Sequence, residues 1–186
     1  MKQVIIIHGW GGNPNINWFP WLKFELEKSG VEVSALSMPN SENPIQEEWV
    51  NYIDQNVSNP DKNIVFVGHS LGCIAILRYL ENLSEETKIA GIVLVSGFAE
   101  PIGYAEPDSF CETPVNFKKI KSIISSKSFV IHSDNDAYIS NEIGSNLQKN
   151  LGSEFIVIHN GGHLTGDDGF REFPLVLSSI NKLLGV

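Results

Sequence analysis

Six short apolar runs recur along the chain, each of strand length and rich in β-branched residues. Most are continuously apolar, which is typical of parallel strands that are buried on both faces. The runs are VIIIH (4–8), VEVSAL (31–36), NIVFVG (63–68), GIVLVS (91–96), SFVIHS (128–133) and EFIVIH (154–159). We therefore expect six strands in one mostly parallel sheet.

Helical patterns separate these runs, so that strand and helix alternate six times. The patterns cover residues 18–29, 45–57, 72–83, 116–125, 140–150 and 171–184. Such alternation predicts an α/β fold with right-handed crossovers and helices on both faces of the sheet. The length of 186 residues predicts a single domain over residues 1–186. The longest irregular segment, residues 97–114, is too short for a lid domain.

Composition excludes several classes of function. The net charge is -9, with 13 Lys+Arg against 22 Asp+Glu and no basic cluster, so we expect no nucleic-acid partner and no binding to anionic membranes. The N-terminal apolar run is too short for a signal peptide or a membrane span, which predicts a cytoplasmic protein. Cys73 and Cys111 are the only cysteines, so neither a disulfide framework nor a zinc site is expected. The oligomeric state cannot be read from the sequence.

Residues capable of catalysis follow four of the six runs. Since ligands bind beyond the carboxyl ends of parallel strands, these residues should meet at one edge of the sheet. They are His8-Gly9, Gly68-His69-Ser70, Ser133 to Asp136, and His159 with the following Gly161-Gly162-His163.

Ser70 is the candidate nucleophile. It is the centre of Gly-His-Ser-Leu-Gly, and this Gly-x-Ser-x-Gly pattern places a serine on a strained turn from strand to helix, where its hydroxyl is exposed. The pentapeptide alone is weak evidence, because glycine and serine are common and an ordinary turn serine would fit. Its position, after NIVFV and before the helical LGCIAILRYLENL, favours the catalytic interpretation.

The partners of such a serine follow it in the order acid, then histidine. Asp134 and Asp136 both follow the fifth run, and either could instead be a turn former or a helix cap. His163 follows the last run behind two glycines and is the candidate base. His159 is expected to end its strand.

The remaining histidines are interpreted as structural. His69 lies inside the serine turn and His132 lies on a strand. His8 precedes the serine in the chain, so we expect it to fix the first loop and not to act as the base.

Stabilising an oxyanion takes two backbone N–H donors. Leu71, the residue after the nucleophile, should supply one, and Trp10 in the loop after the first strand should supply the other. That loop is also rich in glycine, but a dinucleotide fingerprint starting at Gly9 and Gly11 would need a third glycine where Pro14 stands.

Together these residues resemble the α/β-hydrolase fold, and more narrowly the small lidless serine hydrolases of the YdeN and retinoblastoma-binding protein nine family. The resemblance extends over nearly the whole chain. It rests on HGWGGNPNINWFPWL, MPN, GHSLGCIAILRYLE, GIVLVSGFAEP, SDNDAYIS and NGGHLTGDDGF.

The resemblance implies a triad of Ser70, Asp136 and His163. Asp136 is preferred because the family's acid lies in an Asp-x-x-Ile/Val pattern, here ending at Ile139. It also implies that the first two antiparallel strands of the full fold are absent. The Leu-x-Cys-x-Glu motif of the retinoblastoma-binding member is missing, so binding to that partner is not expected.

The sequence thus predicts a serine hydrolase without cofactor or metal, acting on a small-molecule acyl substrate: a small carboxylic ester, or a thioester or amide. A catalytically silent interaction scaffold, and an acyltransferase or perhydrolase with the same triad, are the alternatives. Several aromatic residues are candidates for an acyl pocket, although some of them must belong to the core. They are Trp10, Trp18, Phe19, Trp21, Phe98, Phe110 and Tyr138.

Overall fold

The structure, a computed structural model, describes residues 1–186 and contains one sheet of six strands. All neighbouring strands are parallel, in the order β2-β1-β3-β4-β5-β6. The strands are β1 (Gln3–Ile7), β2 (Glu32–Leu36), β3 (Ile64–His69), β4 (Ile89–Val95), β5 (Ile124–Ser133) and β6 (Glu154–Ile158). The predicted fold class is confirmed, and the sheet is wholly parallel where a mostly parallel one was expected.

The chain contains seven α-helices, and six of them match the predicted helical patterns. They are α1 (Phe19–Lys28), α2 (Gln46–Asn56), α3 (Leu71–Asn82), α4 (Ala105–Asp108), α5 (Phe117–Ile123), α6 (Asn141–Leu151) and α7 (Pro174–Leu184). No helix is both long and apolar enough to cross a membrane.

The segment 97–114 is less irregular than predicted, since it contains α4 and a 3-10 turn at Ser109–Cys111. The carboxylate of Asp108 accepts hydrogen bonds from the amides of Ile102 (2.6 Å) and Gly103 (3.1 Å) and so holds the segment folded on itself. Phe110 anchors it by lying fully buried in the core. A helix of a single turn is too short to produce a detectable period in the sequence.

Two cores cover the two faces of the sheet. Within β1, for example, Ile5 and Ile7 pack on one face and Val4 and Ile6 on the other, because successive side chains of a strand alternate. Helices α2, α3, α5 and α6 pack on the first face, and α1 and α7 on the second. This double burial explains why the strands are continuously apolar.

The strand order reverses between β1 and β3. From β1 the chain moves outward to β2, then returns to place β3 on the other side of β1. In open parallel sheets, a crevice forms at the carboxyl ends of the two strands that flank such a reversal. The two segments that leave this point are the loop after β1, which contains Trp10, and the turn at Ser70.

Candidate active site

Ser70 lies in a sharp turn between β3 and α3. Its backbone angles are φ 53° and ψ -122°, which are unusual for a residue other than glycine. The amide of Ser70 donates a hydrogen bond to the carbonyl of Val95 at the end of β4 (2.9 Å), so the neighbouring strand holds the turn. The strained conformation is the one expected of a nucleophile elbow.

The two glycines that flank Ser70 are required by close packing. A Cβ on Gly68 would lie 2.8 Å from the backbone nitrogen of Cys73, and one on Gly72 would lie 2.3 Å from the carbonyl oxygen of Ile7. Both distances are far inside van der Waals contact. The Gly-x-Ser-x-Gly spacing therefore lets α3 start directly against β1 and β3.

The two predicted oxyanion donors lie near Ser70: Leu71 directly follows it in the chain, and Trp10 lines the same cavity. Leu71 is the first residue of α3, so its N–H has no partner one turn earlier in the helix. The amide of Trp10 donates no hydrogen bond within the protein. Its loop approaches the serine closely, since a Cβ on Gly9 would lie 3.0 Å from the Cβ of Ser70.

His8 fixes the conformation of this loop. Its Nε2 accepts a hydrogen bond from the amide of Met38 (3.0 Å), and its Nδ1 therefore donates to the carbonyl of Gly9 (2.7 Å). Burial lowers the pKa of His8, which keeps the ring neutral in this arrangement. This is the structural role that the sequence predicted for it.

His163 and Asp136 form a buried pair, with 2.8 Å between Nδ1 and Oδ2. The other carboxylate oxygen of Asp136 accepts hydrogen bonds from the amides of Tyr138 (2.9 Å) and Ile139 (3.1 Å). Burial acts to raise the pKa of Asp136, but the hydrogen bond and charge of His163, together with these two amides, lower it overall. Asp136 therefore remains a carboxylate and orients the imidazole.

Hydrogen bonds fix both the carbonyl and the amide of His163. Its carbonyl accepts hydrogen bonds from Nε2 of His69 (2.9 Å) and from the hydroxyl of Ser96 (3.2 Å). Its amide donates to the carboxylate of Asp168 (3.0 Å). The ring packs edge-on against Tyr138 and His69, with centroids 5.1 Å and 4.9 Å away.

His69 and Asp168 have pKa values suited to these contacts. Burial, followed by the charge of His163, lowers the pKa of His69 to about 3, so its ring is neutral and Nε2 is free to donate. Burial acts to raise the pKa of Asp168, but hydrogen bonds from Thr165 and His163 outweigh it and lower that pKa. Sequence reasoning identified neither Ser96 nor Asp168 as part of the site.

Ser70 and His163 line the same cavity, which has a volume of about 680 Å³. Nε2 of His163 and the hydroxyl of Ser70 form no hydrogen bond with each other or with any other protein group. Such contacts are often long before substrate binds. The imidazole nitrogen and the hydroxyl are therefore both free to form hydrogen bonds with a molecule in the cavity.

The second acid candidate, Asp134, is paired with His159 (2.6 Å between Oδ2 and Nδ1). Neither residue lines the cavity that contains Ser70. β6 ends at Ile158, so His159 lies one residue beyond the strand that it was expected to end, and its side chain is exposed.

The predicted aromatic residues divide between cavity and core. Trp10 and Tyr138 line the cavity, together with Tyr104, which the sequence analysis did not select. The other predicted aromatic residues do not line it, and four of them are fully buried: Trp18, Phe19, Phe98 and Phe110. No group of three or more His, Cys, Asp or Glu side chains is arranged to hold a metal ion.

The arrangement has the parts that acyl transfer requires: a serine hydroxyl, a carboxylate-oriented imidazole and two amides beside the serine. The family model described as serine hydrolase matches residues 4–182. YdeN of Bacillus subtilis (strain 168) is 35% identical over 176 residues, covering 94% of this chain and 92% of that protein. Serine hydrolase RBBP9 of Rattus norvegicus is 26% identical over 125 residues, covering 65% and 64% of the two chains.

Solved structures agree with these matches. The crystal structure of the ydeN gene product from B. subtilis superposes with a TM-score of 0.95 at 33% identity, covering 100% of both chains. Est1E from Butyrivibrio proteoclasticus shares the fold with a TM-score of 0.71 at 14% identity, covering 98% of this chain and 86% of that one. The chain therefore belongs to the serine hydrolase family and has an α/β-hydrolase fold with a wholly parallel six-stranded sheet.

Proposed function

We propose that the protein hydrolyses small carboxylic esters through an acyl-enzyme on Ser70. The observation that carries the proposal is the buried His163–Asp136 pair, which lies in the same cavity as the strained Ser70. Hydrogen bonds to both the amide and the carbonyl of His163 fix its position. A thioester or amide of similar size would undergo the same reaction, because only the leaving atom differs.

In the acylation half, Nε2 of His163 takes the proton from Ser70 as Oγ bonds to the carbonyl carbon of the substrate. The resulting oxyanion accepts hydrogen bonds from the amides of Leu71 and Trp10, each worth roughly 10²- to 10³-fold in rate. Asp136 stabilises the imidazolium. His163 then gives its proton to the leaving oxygen as the bond from carbon to that oxygen breaks.

In the deacylation half, water replaces the alcohol. His163 takes a proton from the water as its oxygen bonds to the acyl carbon, and the same two amides hold the second oxyanion. The bond to Oγ of Ser70 breaks, His163 returns the proton to the serine, and the carboxylic acid leaves. No step needs a cofactor.

A fluorophosphonate probe tests the nucleophile directly, because phosphonylation forms a bond from Oγ to phosphorus and releases fluoride. We expect labelling of the wild type and none of Ser70→Ala. The matched control is Ser122→Ala, since Ser122 is an exposed serine near the start of β5, at the opposite edge of the sheet. Failure to label the wild type, together with no turnover of p-nitrophenyl acetate, would favour the silent scaffold instead.

We propose further that the acyl group is short. The segment 97–114 folds on itself through Asp108 and contributes Ile102, Tyr104 and Pro107 to one wall of the cavity. A long hydrophobic tunnel would make kcat/KM rise roughly fourfold per added methylene, from about 0.8 kcal/mol each. We expect this gain to stop within about six carbons in a p-nitrophenyl ester series; a steady rise through laurate would contradict it.

A further inference from the structure

Three aromatic side chains form a continuous row along the cavity. The ring centroids of Trp10 and Tyr104 are 6.2 Å apart, those of Tyr104 and Tyr138 are 6.4 Å apart, and Tyr138 continues to His163 at 5.1 Å. All three aromatic residues are exposed within the cavity that contains Ser70. We refer to Trp10, Tyr104 and Tyr138 as the aromatic row.

The same cavity carries negative charge and no positive side chain. No Lys or Arg is among the 19 residues that line it, whereas Asp167 and Asp168 are. The carboxylate of Asp167 forms no hydrogen bond and no ion pair within the protein. The carboxylate of Glu42 does not line the cavity but lies near Gly11, which does: a Cβ on Gly11 would be 3.4 Å from it.

These two features together point to a cation. Aromatic faces alone would suit any flat or apolar group, but an unpaired carboxylate in the same cavity favours a positive charge and opposes a negative one. A quaternary or protonated ammonium gains from both, because the ring faces and the carboxylates are each negative.

The position of His163 indicates which part of the substrate carries that charge. The imidazole must reach the leaving atom to protonate it, so the leaving group lies on the His163 side of the cavity. Tyr138 packs on the ring of His163, Asp168 bonds its amide, and Asp167 is adjacent in the same loop. Tyr138 and the loop that carries Asp167 therefore lie on the leaving-group side of the cavity.

We propose that the leaving group of the natural substrate carries an ammonium, as in the ester of an amino alcohol. This rests on the proposed ester hydrolysis at Ser70 and specifies its substrate class. Tyr138, at the His163 end of the aromatic row, and Asp167 form the binding site for the ammonium, while the acyl group stays short and uncharged.

Competitive inhibition of p-nitrophenyl acetate hydrolysis tests the proposal without dependence on leaving-group reactivity. The two inhibitors are choline and the uncharged alcohol in which carbon replaces its quaternary nitrogen. We expect choline to bind about tenfold more tightly. The preference should shrink as salt is added, because the carboxylates are exposed.

The variants Asp167→Asn and Tyr138→Leu should each reduce that preference by about threefold or more. Glu86→Gln is the matched control, since it changes the net charge equally but lies before β4, at the opposite edge of the sheet; it should keep the full preference. Equal inhibition by the two alcohols would overturn the proposal, as would a preference that Asp167→Asn and Glu86→Gln retain alike.

Calorimetric titration of Ser70→Ala with the same two alcohols separates this proposal from the proposed hydrolysis. Tighter binding of choline there supports the ammonium site even if the wild type hydrolyses no ester. Rapid hydrolysis by the wild type with no preference between the alcohols overturns the ammonium site and leaves the hydrolysis standing.

Discussion

Two aspartate–histidine pairs connect the loop after β5 to the loop after β6. Both are joined by the same kind of hydrogen bond, but they differ in burial and in their other contacts. His163 and Asp136 are joined by Nδ1 and Oδ2 at 2.8 Å, and His159 and Asp134 by the same atoms at 2.6 Å. The pair that faces solvent thus has the shorter bond. Bond length alone does not distinguish a catalytic pair from a surface contact.

Burial and the remaining contacts do distinguish them. The side chains of His163 and Asp136 are 14% and 0% exposed, against 82% and 35% for His159 and Asp134. Coulomb attraction is far weaker in water than inside the protein, so the buried pair is the stronger electrostatic unit.

The second nitrogen of each imidazole is also in a different state. Nε2 of His159 is engaged by the side-chain amide of Asn160 at 2.9 Å, whereas Nε2 of His163 has no protein partner. The backbone amide of Asn160 and the side chain of His159 lower the pKa of Asp134, so that carboxylate is charged but screened by solvent. Of these two histidines, only His163 combines an oriented ring with a free nitrogen in the cavity.

The largest expected difference between the pairs comes from removing each imidazole. His163→Ala should reduce kcat by ~10⁶-fold, as loss of Ser70 should, because nucleophile and base act as a unit. His159→Ala should retain most of the activity, since it touches neither Ser70 nor the cavity. Steady-state kinetics on p-nitrophenyl acetate with both variants decides, and a severe loss in His159→Ala would break the comparison.

Replacing each carboxylate by an amide should reveal a difference in kcat that is nearly as large. Asp136→Asn should reduce kcat by ~10⁴-fold, because an amide in that place favours the wrong imidazole tautomer. Asp134→Asn should cost less than about tenfold, because it acts on the solvent-facing pair. If the ranking of the two variants is reversed, Asp134 becomes the acid of the triad.

The sequence pattern alone did not decide which of these two aspartates is the acid of the triad, because both directly follow β5 and both can form turns. What separates them is tertiary: the loop after β6 brings His163 to Asp136 and His159 to Asp134. Only the resemblance to the family favoured Asp136. The strands were predictable for the opposite reason, since burial on both faces leaves a continuous apolar run that needs no knowledge of partners.

The supports of His163 were predictable only in part. Asp168 accepts bonds from the amide of Thr165 three residues earlier, so an aspartate closing a turn after His163 is a signal present in GDDGF. Ser96 gave no such signal, because its hydroxyl reaches a carbonyl 67 residues away. Tyr104 was missed although Phe98 and Phe110 of the same segment were selected, because no pattern in that segment indicates which aromatic side chain faces the cavity.

Asp168 offers a smaller but sharper test of how the buried pair is held. Asp168→Asn weakens the acceptor for the amide of His163, and a displacement of the base by about an ångström costs roughly 10²-fold. We expect kcat to fall by about that factor with KM for p-nitrophenyl acetate nearly unchanged. A lower melting temperature that accompanies the loss of activity, together with a raised KM, would indicate that Asp168 has only a structural role.

The smallest expected effect concerns folding and contrasts a buried histidine with an exposed one. The pKa of His69 is lowered from 6.5 to about 3, so below pH 6.5 the unfolded chain binds a proton that the folded protein does not. The free energy of unfolding must therefore fall as the pH is lowered through this window. His69 alone should account for about 2 kcal/mol of that fall between about pH 7 and about pH 5. His8 and His132, whose pKa values burial also lowers, add losses of the same sign.

The variant His69→Gln keeps an N–H donor for the carbonyl of His163 but cannot titrate. We expect urea unfolding at the two pH values to show a smaller difference for His69→Gln than for the wild type, whatever its absolute stability. His159→Gln is the control for the loss of a histidine that is exposed to solvent and lies outside the cavity. An unaltered pH dependence in His69→Gln would mean that His69 is not the neutral, buried support of His163 that its contacts indicate.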